Sequence, residues 1–206
     1  IVQTTPDTRT EVRKTEISSI DFFGSVRDVK LVDVYTLEGE FKRRELEKVQ
    51  SMLVNPVFQE GWVDEPFIPK FDYAVEIGFL PGVTDNVGNT TREGVSDLLR
   101  RDFEGQTVYS SQLMFLSGNL TIEHAQLIGE SLANPLIQRI SVKSYNEFLR
   151  DRGMGVVVPR VIISEKPRAD LVDLLNASDE ELVAIGKQGI ANHNGSRSGP
   201  LALDLT

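Results

Sequence analysis

The stretch LEKVQSMLVNPVFQ at residues 46–59 has a counterpart, AQLIGESLANPLIQ, at residues 125–138. Both end in the pattern Leu-x-Asn-Pro-x-x-Gln, and Asn55 and Asn134 are 79 positions apart. Apolar residues at helical spacing precede each Asn-Pro pair, and proline then stops a helix because its ring removes a donor and restricts the residue before it. The pattern therefore predicts a duplicated structural unit.

The sequence upstream of the second copy continues this unit. Residues 73–79 alternate at period two, as a half-buried strand does. Pro81-Gly82 predicts a turn, and Asp85 or Asn86 can cap a helix that runs to about Arg101. Residues 108–116 and 136–142 predict two further strands.

The first copy has the same order of elements. We expect strands at residues 1–4, 26–37 and 57–63, with one helix at about 7–23 and another at about 46–54. Each copy reads strand–helix–strand–helix–strand, which predicts an α/β (α+β) fold of two tandem ferredoxin-like units with antiparallel sheets. The expected boundaries are 1–65 and 70–149. Because a unit of this size buries little surface alone, the copies are expected to pack as a pseudo-symmetric pair.

Residues 150–206 predict an extended linker with a short helix. Residues 156–163 are apolar, but Pro159 bars them from a central strand. A helix is predicted to start at Ser178, in a capping box with Glu181, and to end at Gly189. A new apolar pattern begins at Leu201, so we expect the linker to lead into a further domain.

Composition limits the function classes. The chain has no cysteine, only two histidines and a net charge of −9. These numbers argue against disulfides, a His-rich metal site and a nucleic-acid partner. Neither a signal peptide nor a membrane span is predicted, so we expect a cytoplasmic protein with no membrane partner.

The residue patterns that can carry chemistry have simpler structural explanations. The Gly-containing stretch at residues 80–86 precedes a helix but lacks the lysine of a phosphate-binding loop. Asp179-Glu180-Glu181 suits a helix start. His124 has no adjacent nucleophile, and His193 lies in a polar loop. We therefore assign no catalytic, cofactor-binding or metal-binding residue to this sequence.

Several stretches carry a resemblance to one enzyme family. LPGVTDNVG at residues 80–88 and LANPLIQ at 132–138 resemble the small-subunit domain of phosphoribosylformylglycinamidine (FGAM) synthase, although Leu80 stands where that family often has lysine. Residues 32–39 and 55–60 look like the first copy of the same domain in fused enzymes. Residues 177–182 and 199–205 look like the segment that leads into the synthetase subunit.

The resemblance implies a non-catalytic region of a ligase in purine biosynthesis. The parent enzyme uses ATP, Mg²⁺ and glutamine-derived ammonia to convert formylglycinamide ribonucleotide into FGAM. The implied partners are the synthetase domains of the same polypeptide and a glutaminase, fused or separate. The alternative is a tandem ACT-like regulatory module, since such modules also pair ferredoxin-like units and bind small effectors between them.

Overall fold

The computed structural model describes residues 1–4, 7–20, 24–103, 105–160, 174–191, 196–197 and 199. The chain divides into two compact units, residues 1–161 and residues 162–206. The first unit is a mixed α/β structure with antiparallel sheets.

The first half of this unit contains β1 (Val2–Gln3), α1 (Thr8–Ile20), β2 (Val26–Leu37), α2 (Arg43–Leu53) and β3 (Gln59–Glu60). The second half contains β4 (Tyr73–Phe79), α3 (Asn86–Leu99), β5 (Val108–Gly118), α4 (Ile122–Leu132), β6 (Gln138–Ser144) and α5 (Tyr145–Arg150). The order of strands and helices in the first half therefore recurs in the second.

Strands from both halves share one sheet. Its order is β2-β5-β4-β6, and Asp33 of β2 lies opposite Gln112 of β5. A second sheet pairs β1 with β3. Ile1 and Asp33 exchange both backbone hydrogen bonds, at 2.7 and 2.9 Å, which joins the edges of the two sheets. Starting from the β2–β5 pair, β2 is followed by β1 and then β3 on one side. On the other side, β5 is followed by β4 and then β6.

The two Asn-Pro turns make the same hydrogen bonds. The backbone N–H of Asn55 donates to Gln59 Oε1 at 2.8 Å, and that of Asn134 donates to Gln138 Oε1 at 2.8 Å. Each asparagine Oδ1 accepts from the residue two positions later, Val57 at 3.0 Å and Leu136 at 3.1 Å. Both asparagines follow the C-cap of a helix. The repeated motif is thus one local structure formed twice.

These turns delay the start of the strands that follow them. The strand predicted at residues 57–63 spans only Gln59–Glu60, and the strand predicted at 136–142 begins at Gln138 and ends at Ser144. In each copy the first three residues after asparagine form the turn, because two backbone N–H groups there bond to the asparagine carbonyl oxygen. The predicted strands at 26–37 and 73–79 have the expected bounds. The predicted end of the first helix, at 21–23, lies outside the described residues.

The main sheet is covered on both faces. On one face α1 and α4 bury Ile17, Ala125 and Ile128 against strand residues such as Val29 and Leu116. At the far end of this face, α2 and α3 bury Val49 and Val95 around Phe103. The opposite face holds an aromatic cluster in which α5 contributes Phe148. Phe71 and Phe115 meet this ring edge to face, at centroid distances of 5.3 and 5.4 Å. The expectation of helices on one face therefore holds for α1 to α4, but α5 lies on the other.

The second unit contains α6 (Asp179–Gln188). Glu181 N–H donates to the Ser178 side chain at 3.3 Å, which is one half of the predicted capping box. The Glu181 carboxylate contacts Arg197 at 3.3 Å. Gly189 ends the helix with a φ of 86°, a conformation that favours glycine. Of the predicted extended stretch, residues 156–160 are described and form neither helix nor strand, whereas 161–163 lie outside the described part.

Candidate functional site

A polar cleft lies on the helix-covered face of the sheet, where β2 meets β5. Its floor consists of Asp33 and Tyr35 from β2 and of Ser110 and Gln112 from β5. Along the same face, both strands carry apolar side chains elsewhere, for example Leu31. The cleft encloses about 270 Å³. The side chains on this face thus change from apolar to polar where the helices leave the sheet uncovered.

The positions of the helices explain the gap. The helix α1 packs with α4 over one end of the sheet, and α3 packs with α2 over the other end. Between them the strand centres stay uncovered. Arg13 of α1 forms one wall, and Val87 of α3 forms another. Both halves of the unit therefore contribute to one cleft.

The charged groups of the cleft are held by a small network. Arg9 Nη1 donates to both carboxylate oxygens of Asp33, at 3.1 and 2.9 Å. Arg13 Nε donates to Gln112 Oε1 at 3.2 Å, and its Nη1 donates to Glu16 at 2.7 Å. Because Arg9 and Arg13 are four residues apart, one helical face carries both guanidinium groups to the sheet.

Several donors in the cleft are uncommitted within the described part of the chain. Arg13 Nη2, Gln112 Nε2 and the Tyr35 hydroxyl have no hydrogen-bond partner among these residues. Burial, followed by the negative charge of Asp33, raises the pKa of Tyr35, with Arg9 acting in the opposite direction. The phenol is therefore a neutral donor at physiological pH. Such a site can bind a small molecule that carries acceptor oxygens.

Asp85 positions α3 beside the cleft. It is 7% exposed and caps the helix by accepting from Gly88 N–H at 2.7 Å. The same carboxylate accepts from the Ser110 hydroxyl at 2.9 Å and from its backbone N–H. A Cβ at Gly88 would lie 2.2 Å from the carbonyl oxygen of Val108. Helix and strand can approach this closely only because residue 88 is glycine.

Among the described residues, a buried carboxylate also lies on the opposite face. Glu76 is 6% exposed, accepts from the Ser111 hydroxyl at 2.6 Å and lies 3.7 Å from Arg139 Nη2. With a hydroxyl and a guanidinium as partners, Glu76 is explained as a satisfied buried charge.

The described residues that the sequence analysis weighed as possible sites have structural roles. Leu80 to Val83 form a turn closed by a 3.2 Å hydrogen bond, with Gly82 at a φ of 82°. His124 lies in the first turn of α4, where its N–H donates to the Thr121 side chain at 3.3 Å. Asp179-Glu180-Glu181 opens α6. His193 lies outside the described residues. Neither the turn at residues 80–83 nor His124 lines the cleft.

The cleft itself was not anticipated. Its signal in the sequence is the run of polar residues at same-face positions of two strands, namely Asp33, Ser110 and Gln112. Period-two alternation identifies the strands but does not show which polar face another element leaves uncovered.

Within the described residues, no group of three or more His, Cys, Asp and Glu side chains is placed to hold a metal ion. No helix in this part of the chain has the length and apolar character needed to cross a membrane.

Comparisons with known proteins leave the family open. No protein-family model matches the sequence, and a search of curated proteins found no significant match.

Proposed function

We propose that this chain is the non-catalytic N-terminal assembly region of an FGAM synthase. In this proposal it consists of two tandem ferredoxin-like units, followed by a linker that leads into the synthetase domain. The observation that carries the proposal is the placement of the resembling motifs. Residues 80–88 form the turn and N-cap that open α3, and residues 132–138 form the turn that closes α4.

The shared sheet supports an architectural role. β2 and β5 pair along Val26–Leu37 and Val108–Gly118, so the two halves form one continuous structure and do not move as separate domains. Such a body can hold other domains at a fixed separation. In an FGAM synthase these domains are the synthetase domains of the same polypeptide and the glutaminase, whose ammonia must reach the synthetase without escaping.

The chemistry belongs to the parent enzyme in this proposal. ATP, Mg²⁺ and formylglycinamide ribonucleotide bind in the synthetase domains, and ammonia comes from glutamine at the glutaminase. The region itself neither binds the cofactor nor contributes a catalytic residue. A purine-biosynthesis ligase also places the protein in the cytoplasm, with no membrane or nucleic-acid partner.

The test uses the full-length polypeptide that contains this region. Purified full-length protein, with its glutaminase, is expected to release ADP from ATP only when formylglycinamide ribonucleotide is added, with either glutamine or ammonium as nitrogen source. Residues 1–206 alone are expected to release none. Absence of nucleotide-dependent ADP release from a folded full-length protein contradicts the proposal.

The cleft favours one second candidate, a tandem ACT-like module that binds a small regulatory molecule between its two copies. The floor of the cleft combines Asp33 of the first half with Gln112 of the second. Calorimetric titration with amino acids and with purine nucleotides discriminates the two candidates, because a purely architectural region binds neither.

A further inference from the structure

We propose that Arg160 docks the chain that follows α5 onto one end of the β2–β5 pair, where Glu38 and Gly105 receive its guanidinium group. This docking fixes the point at which the chain leaves the first unit. The inference deepens the assembly role, and it rests on that role in taking the residues beyond 161 as a linker to a further domain.

The exit segment, residues 151–160, forms neither helix nor strand but is held at its start. Lys143 of β6 donates to the carbonyl oxygen of Gly153 at 2.9 Å. The same ammonium group lies 2.9 Å from the Asp151 carboxylate. These contacts attach the beginning of the segment to the outer strand of the main sheet.

The end of the segment is held by the Arg160 side chain. Its Nη2 contacts Glu38 Oε1 and donates to the carbonyl oxygen of Gly105 at 3.4 Å. The negative charge of Glu38, followed by a hydrogen bond with Tyr109, raises the pKa of Arg160, so the guanidinium group stays charged. Glu38 follows β2 of the first half, whereas Gly105 and Tyr109 belong to the second half. The guanidinium group therefore joins the exit segment to both halves.

The backbone beside Arg160 supports this contact. An exposed ion pair alone stabilises a structure little, and the Arg160 side chain is 54% exposed. However, its N–H donates to the carbonyl oxygen of Val158 at 2.9 Å, which closes a three-residue turn around Pro159. The proline ring fixes φ, and Val157 and Pro159 line a small cavity against the sheet. The Glu38 side chain is only 22% exposed, so its charge is stabilised by a nearby cation.

The repeat explains why the segment docks at this end of the β2–β5 pair. The 79-residue offset makes Ser117 the counterpart of Glu38. It makes Lys30 the counterpart of Tyr109. Because β2 and β5 are antiparallel, these counterparts lie toward the opposite end of the pair. A neutral hydroxyl there replaces the carboxylate and an ammonium group replaces the phenol, so that end would repel an arginine.

The opposite end also holds a different segment. The Ser117 hydroxyl donates to the carbonyl oxygen of Lys70 at 3.1 Å, and Lys30 Nζ lies 5.0 Å from the centre of the Phe67 ring. Phe67 and Lys70 belong to the connection between β3 and β4. Each end of the β2–β5 pair thus receives the segment that follows one copy, and the carboxylate of Glu38 distinguishes the end that takes the exit segment.

The experiment is ¹⁵N relaxation of the 206-residue chain, which measures the backbone order parameters of Val158 and Arg160. Both are expected at about 0.85 in the natural sequence, the value of rigid backbone. Arg160→Met and Glu38→Ala each remove one partner of the ion pair, and each is expected to lower both order parameters below about 0.6. The double variant should match the single variants, because the same contact is lost.

Two matched controls separate this contact from a general change of charge. Glu40→Ala removes an exposed carboxylate two positions after Glu38, and Arg152→Met removes an exposed guanidinium group from the exit segment itself. Both are expected to leave the order parameters of Val158 and Arg160 unchanged. The urea midpoint and circular dichroism check that every variant is folded, and neither should change greatly because the ion pair is near the surface.

Three results would overturn the inference. The first is an order parameter below about 0.6 at Val158 and Arg160 in the natural sequence. The second is rigid backbone in Arg160→Met or in Glu38→Ala, because the contact needs both partners. The third is equal loosening in Glu40→Ala. The FGAM synthase proposal is tested separately, because its assay measures ADP release and these measurements do not.

Discussion

At the scale of single residues, Gly88 determines how closely α3 approaches the sheet. A Cβ at this position would lie 2.2 Å from the Val108 carbonyl oxygen and 2.7 Å from Asp85 Oδ2. Neither group can move freely, because Val108 belongs to a strand and Asp85 is held by Ser110. We expect Gly88→Ala to lower the free energy of unfolding by about 1–3 kcal/mol, as overpacking does.

Gly94→Ala is the matched control on the same helix. There the nearest atom to a new Cβ is Met52 Sδ at 3.3 Å, the end of a flexible side chain. Alanine also favours helix over glycine by about 0.5–1 kcal/mol. Urea unfolding should place this variant within about 1 kcal/mol of the natural protein. If both variants lose the same free energy of unfolding, the close approach of helix and strand at Gly88 is not the cause of the destabilisation.

At the scale of elements, the two Asn-Pro turns should be energetically equivalent. Asn55→Ala and Asn134→Ala each remove one side-chain acceptor from an identical hydrogen-bond pattern. Each is expected to lower the free energy of unfolding by about 1 kcal/mol. Gln126→Ala, on the exposed surface of α4, should change it by less than about 0.5 kcal/mol. A loss confined to one of the two turns would contradict their equivalence.

Some of these elements could be predicted from the sequence, and others could not. The strands Val26–Leu37 and Tyr73–Phe79 have the predicted bounds, because alternation with β-branched residues is a local signal. The strand after Asn55 was predicted too long, since the apolar residues Val57 and Phe58 form a turn whose hydrogen bonds depend on Gln59. The cleft was missed because it depends on where α1 and α3 leave the sheet uncovered, which is a tertiary property.

At the scale of the whole molecule, residues 1–161 should unfold as one cooperative block. Leu31 of the first half and Ile128 of the second are 2% and 4% exposed and belong to one core cluster. Leu31→Ala and Ile128→Ala are each expected to cost about 2–5 kcal/mol and to lower the same transition. Leu132→Ala should lie at the low end of this range, because Leu132 is only half-buried. Calorimetry that resolves two transitions for this unit, each shifted by only one variant, would show independent units.

The assembly role predicts contacts at the exposed apolar tips of the repeated turns. Val57 and Leu136 occupy equivalent positions and are 83% and 84% exposed, although their backbones are fixed by hydrogen bonds. Rigid, exposed apolar side chains suit contact with another domain. Because both side chains are already exposed, Val57→Asp and Leu136→Asp should change the stability of residues 1–206 by less than about 0.5 kcal/mol.

The most direct test of the FGAM synthase account compares two nitrogen sources in the full-length enzyme. The rate of FGAM formation with glutamine, divided by the rate with ammonium, measures how well ammonia is passed between domains. The account predicts that the combined Val57→Asp and Leu136→Asp variant lowers this ratio at least about threefold, which corresponds to about 0.65 kcal/mol. Its ammonium-dependent rate should stay unchanged. An unchanged ratio, or a full-length protein that forms no FGAM from either source, would contradict the account.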